Sequence, residues 1–421
     1  MKGTSTRPWK KGFKLKMDKK IMEINKLTFY NIRYNIKIEG VYNRGRKVYE
    51  ISNGSRSFFK NTIVGCSNSL LKNICNLLEE QKRITFEQQR SFDDNEDMLY
   101  FESKADLKRI IIETTMNIKF TDFYEYWEFI KLYKYSVPLF FECADSKEII
   151  KNLLNIGATQ FNPNNYMPEF VIDTTLKESL PLYWVNEEGN ILIKFVLQKS
   201  YYRPETFEQI DYRYPIVIYI NQDENILEIR YDAEKYAVNN MAVFDYQNLV
   251  MDCIEWLTKS LRLELNICNH ANTIQIINDN NDKQGEKVRI FRQLMQLSTG
   301  ASADLTASED TDYVLPFIGE LKELINENAE AFEKADEVKQ ILLQYLADKE
   351  ATASYPYIYI KWVKPVESQS YIVKVTFDYF NQKYTLLQHI TGDCKDLGME
   401  RMNNAIKYLC QSGAFIKGEK T

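Results

Sequence analysis

Residues 181–199 read PLYWVNEEGNILIKFVLQK and residues 215–232 read PIVIYINQDENILEIRYD. Each is a run of β-branched and aromatic residues, interrupted by five polar residues and resumed with Ile-Leu. Runs of this kind, bounded by Asn, Asp, Glu and Gly, are strand–turn–strand signatures. The two turns, Asn186 to Asn190 and Asn221 to Asn225, stand 35 positions apart. A duplicated hairpin and a chance likeness between polar turns both give this spacing. Either origin puts a mainly antiparallel sheet at the centre of the chain. A helix over 245–262 follows, with Val250, Cys253, Ile254, Leu257 and Leu261 on one stripe, and is expected to cover one face of that sheet.

Outward from this centre the reading is mixed. Ile32, Tyr34, Ile36 and Ile38 alternate with polar residues, and a turn at Asn43-Arg44-Gly45-Arg46 makes a hairpin of 32–51. Ser67 or Asn68 caps a helix to about Gln81, and Ser103-x-x-Asp106 resembles a capping box. Phe123, Trp127 and Ile130 have helical spacing and read as core. The segment from Asp145 to Ile156 reads as a helix closed by Gly157.

Beyond the centre, Thr273 to Ile277 reads as a strand and 286–297 as a helix, with Val288, Phe291 and Met295 inward. One or two acidic amphipathic helices carry Leu315, Ile318, Leu321 and Ile325, then Val338, Ile341, Leu342 and Tyr345. Residues 302–350 hold 13 acids and four lysines. The chain ends in β-rich runs at 357–363, 371–379 and 384–387 and a last helix. The fold class is therefore α+β: mainly antiparallel sheets with tandem central hairpins, packed with amphipathic helices, in two to three domains. The expected divisions are a basic tail at 1–26, an N-terminal α/β region at 27–160, a central sheet with its helix at 161–297, a linker at 298–312, and acidic helices with a β-α region at 313–421.

Composition narrows the function classes. The 421 residues carry 54 Lys and Arg against 59 Asp and Glu, a net charge of −5, so any nucleic-acid contact is local. The first 20 residues alone hold eight basic side chains and one acid. Apolar runs stop far short of a membrane span. The seven cysteines make no C-x-x-C pair, which fits a reducing, cytoplasmic setting. With two histidines, His270 and His389, there is no H-E-x-x-H zinc site, and no P-loop, G-x-G-x-x-G or G-x-S-x-G motif occurs.

Three chemistries remain. Asp211, Glu228 and Arg230 are weak candidates for a degenerate D…E-x-K site, a divalent-metal nuclease holding Mg²⁺, with Arg where such a site has Lys. Cross-strand pairing on a solvated face is the plainer reading of the same residues. Cys268-Asn269-His270 puts a thiol near an imidazole, too few ligands for zinc. The third is nucleic-acid binding through Arg44 and Arg46, through Tyr201, Tyr202 and Arg203, and through the basic Lys287, Arg289 and Arg292.

Missing catalytic motifs favour a binding role over an enzyme. The expected function is a non-catalytic, nucleic-acid-associated interaction subunit with protein partners and local DNA or RNA contact. It needs no cofactor and no metal, and makes no membrane contact. High Lys, Asn, Ile and Tyr usage suggests a bacterial multi-protein system such as phage defence. The metal-dependent nuclease and a purely protein-binding adaptor are the alternatives.

Overall fold

The computed structural model describes Tyr42, Asn43, Arg46, Lys47 and most of 53–420. Residues 1–41, 44–45, 48–52, 67, 87–97, 117–120, 143–144, 163–174, 178, 203–205, 234–245, 271, 280–286, 298–299, 307–315, 364–369, 380–383, 391–397 and 421 lie outside the described residues. Most of the 32–51 hairpin and the whole 1–26 tail fall there. What is described of that hairpin is the pair β1 (Tyr42–Asn43) and β2 (Arg46–Lys47), which is antiparallel.

The chain then runs through helices α1 (Asn53–Val64) and α2 (Asn68–Glu80), a short parallel pair β3 (Ile84–Thr85) and β4 (Leu99–Tyr100), and helices α3 (Leu107–Met116) and α4 (Thr121–Ile130). Next come β5 (Tyr135–Phe141), α5 (Ser146–Asn155), β6 (Thr159–Gln160), β7 (Leu182–Val185), β8 (Ile191–Tyr202), β9 (Gln209–Asn221) and β10 (Ile226–Tyr231). The helix α6 (Tyr246–Ser260), β11 (Leu265–Asn269), α7 (Thr273–Asp279), β12 (Lys287–Gln296) and β13 (Ser302–Thr306) follow. The rest is α8 (Pro316–Glu327), α9 (Ala329–Phe332), α10 (Asp336–Thr352), β14 (Ser354–Val363), β15 (Tyr371–Tyr379), β16 (Tyr384–His389), α11 (Glu400–Gln411) and β17 (Ile416–Lys420).

The fold is α+β, built on one large sheet. Among the described residues β5 to β17 form 13 strands in the order β13-β12-β14-β15-β16-β5-β10-β9-β8-β7-β6, with β11 beside β5 and β17 beside β11. Every pairing in it is antiparallel except β6 with β7. Both central hairpins form where the sequence places them. Their turns share a chemistry: the side-chain oxygen of Asn186 accepts from the Asn190 backbone N–H at 2.8 Å, and that of Asn221 from the Glu224 N–H at 3.2 Å. Gly189 and Asn225 take the left-handed conformation that closes each turn, at φ +83° and +51°. The hairpins also join each other, because β8 pairs with β9 along its whole length. Pro138 sits where β5 changes neighbour, between Ser136 beside β16 and Leu139 beside β11, a gap that tolerates a residue without an N–H.

The sheet has two unlike faces. On the first, α5 and α6 place Leu153, Leu249, Cys253 and Leu257 over Ile193, Phe195, Ile218 and Ile229. On the second, α11 places Met402, Ile406 and Leu409 over Val288, Ile360, Trp362 and Val373. The helices α1 to α4 close a third core around Ile63, Ile74, Leu78, Ile110 and Trp127. The aromatic run of α4 is core, as its spacing indicated.

Four local expectations are corrected. Within the segment 286–297, read as a helix, the described residues Lys287–Gln296 are the strand β12, hydrogen-bonded between β13 and β14. A bulge between Ile290 and Arg292 shifts the alternation by one residue, so a period of two mimics the apolar spacing of a helix. Ser302–Thr306, inside the expected linker, is a strand. Thr273 to Ile277, read as a strand, lies in the helix α7. Asp106, not Ser103, caps α3, its carboxylate accepting from the Arg109 N–H at 3.1 Å.

Candidate nucleic-acid interface

Three clusters of charged side chains sit on the sheet, and their environments differ. Two are on the second face and buried. Glu125 and Glu128 of α4, one helical turn apart, meet Lys194 of β8 and Arg213 of β9. Lys194 Nζ donates to Glu128 Oε2 at 3.0 Å, and Arg213 Nη2 donates to Glu125 Oε1 at 2.8 Å and Glu128 Oε2 at 2.6 Å. All four side chains are 3% exposed or less. Burial pushes the Glu128 carboxyl up, but the Arg213 and Lys194 charges outweigh it and bring the group down to about 2. Two acids thus answer two bases in a dry site.

The second cluster holds two of the nuclease candidates. Glu228 and Arg230 share one side of β10, as alternation requires, but that side is buried, not solvated. Arg230 Nη2 lies 2.8 Å from Glu228 Oε1 and 2.7 Å from Asn403 Oδ1, and Ser136 Oγ donates to Glu228 Oε2 at 2.7 Å. The guanidinium sits 4.0 Å from the Tyr219 ring centre. Asp211 is not with them. Glu228 pairs with Tyr219, and Asp211 lies eight residues further along β9, about 26 Å at the rise of a strand. There Asp211 accepts from Ser200 Oγ at 2.6 Å. Among the described residues no three His, Cys, Asp or Glu side chains converge as a metal ion would need.

The third cluster is on the first face, past the edge of α5 and α6. Alternation along β14 sends Ile358, Ile360 and Trp362 into the core and Tyr357, Tyr359 and Lys361 to the other side, where they are half-buried. Register brings Lys374 of β15 and Arg292 of β12 opposite Tyr359 from its two sides, and Arg289 opposite Lys361. The bulge matters here: it turns both Phe291 and Arg292 to this face. Lys361 Nζ stands 5.3 Å from the Phe291 ring centre and the Arg292 guanidinium 5.4 Å from that of Tyr359. Lys374 Nζ lies 4.0 Å from the Tyr357 ring centre and 5.7 Å from that of Tyr359. The rings act as pedestals that hold the cations in place.

Among the side chains described on this surface, Asp304 of β13 is the acid beside Arg292 and Lys374, while Arg289 is buried. Arg292 Nε donates to Asp304 Oδ1 at 2.8 Å, with a second bond from Nη2, and the Tyr357 hydroxyl donates at 3.1 Å. The Arg292 hydrogen bond holds the Asp304 carboxyl below its ordinary range. Burial, then the neighbouring Arg292 charge, pulls the Lys374 ammonium below the usual lysine value. A cation depressed by another cation gains from an incoming anion.

The other expected binding residues are not gathered here. Tyr201 and Tyr202 end β8 rather than lying in a loop. Tyr201 is buried against Tyr212, and Tyr202 is exposed. They are seven strand spacings, about 34 Å, from β12. Arg44 and Arg203 lie outside the described residues, and Arg46 forms β2. Lys287 opens β12 opposite Val363. Cys268 is buried, its thiol donating to the Pro138 carbonyl at 3.3 Å, and burial raises it well above an ordinary thiol, away from nucleophilic use. The His270 ring stacks on Phe377 with centres 4.5 Å apart.

Sequence reasoning named Arg289 and Arg292 but missed Tyr357, Tyr359, Lys361, Lys374 and Asp304. The signal was present: the solvent phase of 354–363 carries Tyr, Tyr and Lys where a plain surface strand has small polar residues. No helix of the described residues is long and apolar enough to cross a membrane. No family model, no curated protein and no solved structure matches this chain.

Proposed function

We propose that this chain is a non-catalytic nucleic-acid-binding protein whose contact surface is the open face of β12, β14 and β15. The observation that supports the reading is the convergence of Arg292, Lys374 and Lys361 on Tyr357, Tyr359 and Phe291. Cations at fixed spacing meet the phosphate chain, and aromatic side chains among them meet unpaired bases. Sheets that carry aromatic residues on an open face recognise single strands in this way. Single-stranded DNA or RNA is therefore the expected ligand, and the net charge of −5 keeps the contact to this patch.

The test is fluorescence anisotropy of a labelled single-stranded oligonucleotide, titrated with wild-type protein and with the Arg292→Ala/Lys374→Ala variant. The expected result is binding that weakens as salt rises from about 50 to about 200 mM, with the salt slope reduced by about 1.4 in the variant, about 0.7 per lost phosphate contact on a single strand. Equal affinity and equal slope in the two proteins would remove this surface from the reading. The nuclease alternative draws no support from a Glu228 closed off by Arg230 and an Asp211 far along the strand.

A further inference from the structure

We propose that the outer stripe of α10, formed by Val338, Ile341 and Tyr345, is the docking surface for this chain's own basic N-terminal segment, residues 1–20. The sequence suggested that Val338, Ile341 and Tyr345 face inward with Leu342. Instead Leu342, Leu343 and Leu346 turn inward, against Ile325 and Met295. Ile341 is left 67% exposed, Tyr345 56% and Val338 50%. Positions 338, 341 and 345 share one face of a helix, so the exposed groups form a continuous apolar stripe rather than scattered surface residues.

The charge around the stripe selects its occupant. Residues 316–352, which hold α8 to α10, carry nine acids and four lysines, a net −5, while residues 1–20 carry eight bases and one acid, a net +7. The basic segment also has apolar anchors. Trp9, Phe13 and Met17 are four residues apart, the spacing with which an amphipathic helix lays one face on an apolar surface, and Lys10, Lys14 and Lys16 stand between them. Residues 21–41 can span about 70 Å when extended, so reach is not limiting. The tether keeps the segment at an effective concentration on the order of millimolar, an advantage that a free basic partner lacks. The inference is independent of the nucleic-acid reading, since it involves neither β14 nor β15.

The experiment is zero-length carbodiimide cross-linking of the full chain, read by mass spectrometry, on an equal mixture of ¹⁴N- and ¹⁵N-labelled protein. The expected result is amide links from Lys10, Lys14 or Lys16 to Glu337 or Asp348, within one isotope. They should fall several-fold in Ile341→Ser/Tyr345→Ser, and equally in Trp9→Ala/Phe13→Ala, which leaves α10 intact. Absence of these links overturns the proposal. Links only between isotopes overturn it in favour of a second copy. Links that persist in both variants reduce it to charge attraction without docking.

Discussion

The same face of the sheet is a core at one end and a surface at the other. Over β8, β9, β10 and β5 it carries Ile193, Phe195, Ile218 and Ile229 under α5 and α6. Over β12, β14 and β15 the equivalent positions are Arg292, Tyr359, Lys361 and Lys374. The polar clusters divide the same way. In the two buried clusters, two acids answer two bases and one answers one. On the open face three bases, Arg292, Lys361 and Lys374, stand with Asp304 among the described side chains. A buried charge without a partner costs several kcal/mol, so burial enforces neutrality. An excess of one sign survives only where solvent or a ligand can meet it. The comparison separates charges that specify the fold from charges available for recognition.

The largest effect is expected where the buried quartet is broken from one side. Arg213→Leu leaves Glu125 and Glu128 with Lys194 as their remaining base, one acid in excess in a buried site, and should lower stability by about 3–5 kcal/mol, read from urea denaturation. Replacing Glu125, Glu128, Lys194 and Arg213 together by apolar residues of like volume should cost far less, and an equal loss would undo the argument from stranded charge. Arg292→Ala/Lys374→Ala should instead change stability by less than about 1 kcal/mol, while nucleic-acid affinity falls about tenfold or more at low salt.

Acid sharpens the contrast further. Glu128 lies below its unfolded value of 4.5, at about 2, so its stabilisation is complete above 4.5 and is lost as pH falls towards 2. Urea midpoints recorded over that range should decline, and less so in Glu128→Gln. On the open face the sign reverses. Lys374 loses its proton below the ordinary 10.5, so oligonucleotide affinity should begin to fall at a lower pH than for a surface lysine. Anisotropy titrations in alkaline buffers read this, and Lys374→Arg should shift the fall upward. The smallest effect is expected at Asp211→Asn: an exposed hydrogen bond to Ser200 is lost, with stability changed by less than about 0.5 kcal/mol and binding unchanged.

Much of the architecture was legible because local chemistry and global fold agree. The turns at Asn186 and Asn221 are capped by their own side chains, the stripe of α6 is buried as its spacing demands, and Gly157 follows α5 at φ +84°. Where local irregularity broke the period, the reading failed: two register shifts against β14, at Ile290/Arg292 and Leu294/Gln296, made β12 look helical. The candidate site was half legible. Arg289 and Arg292 were visible as basic residues, but nothing local ties them to Lys374, more than 80 positions away.

By itself the sequence determined the α+β class, the tandem hairpins, the helix over them, and the absence of the common catalytic motifs, because these depend on periodicity and on residue types close in the chain. Only the tertiary structure decided which charges are spent inside and which are left outside. Glu228 could be a metal ligand or half of a cross-strand pair, and Arg292 was one of several scattered basic candidates, until register placed Arg230 and Ser136 beside the first and Lys374 near the second. Strand register and helix cover arise from contacts across long loops, and a one-residue shift moves every side chain to the opposite face.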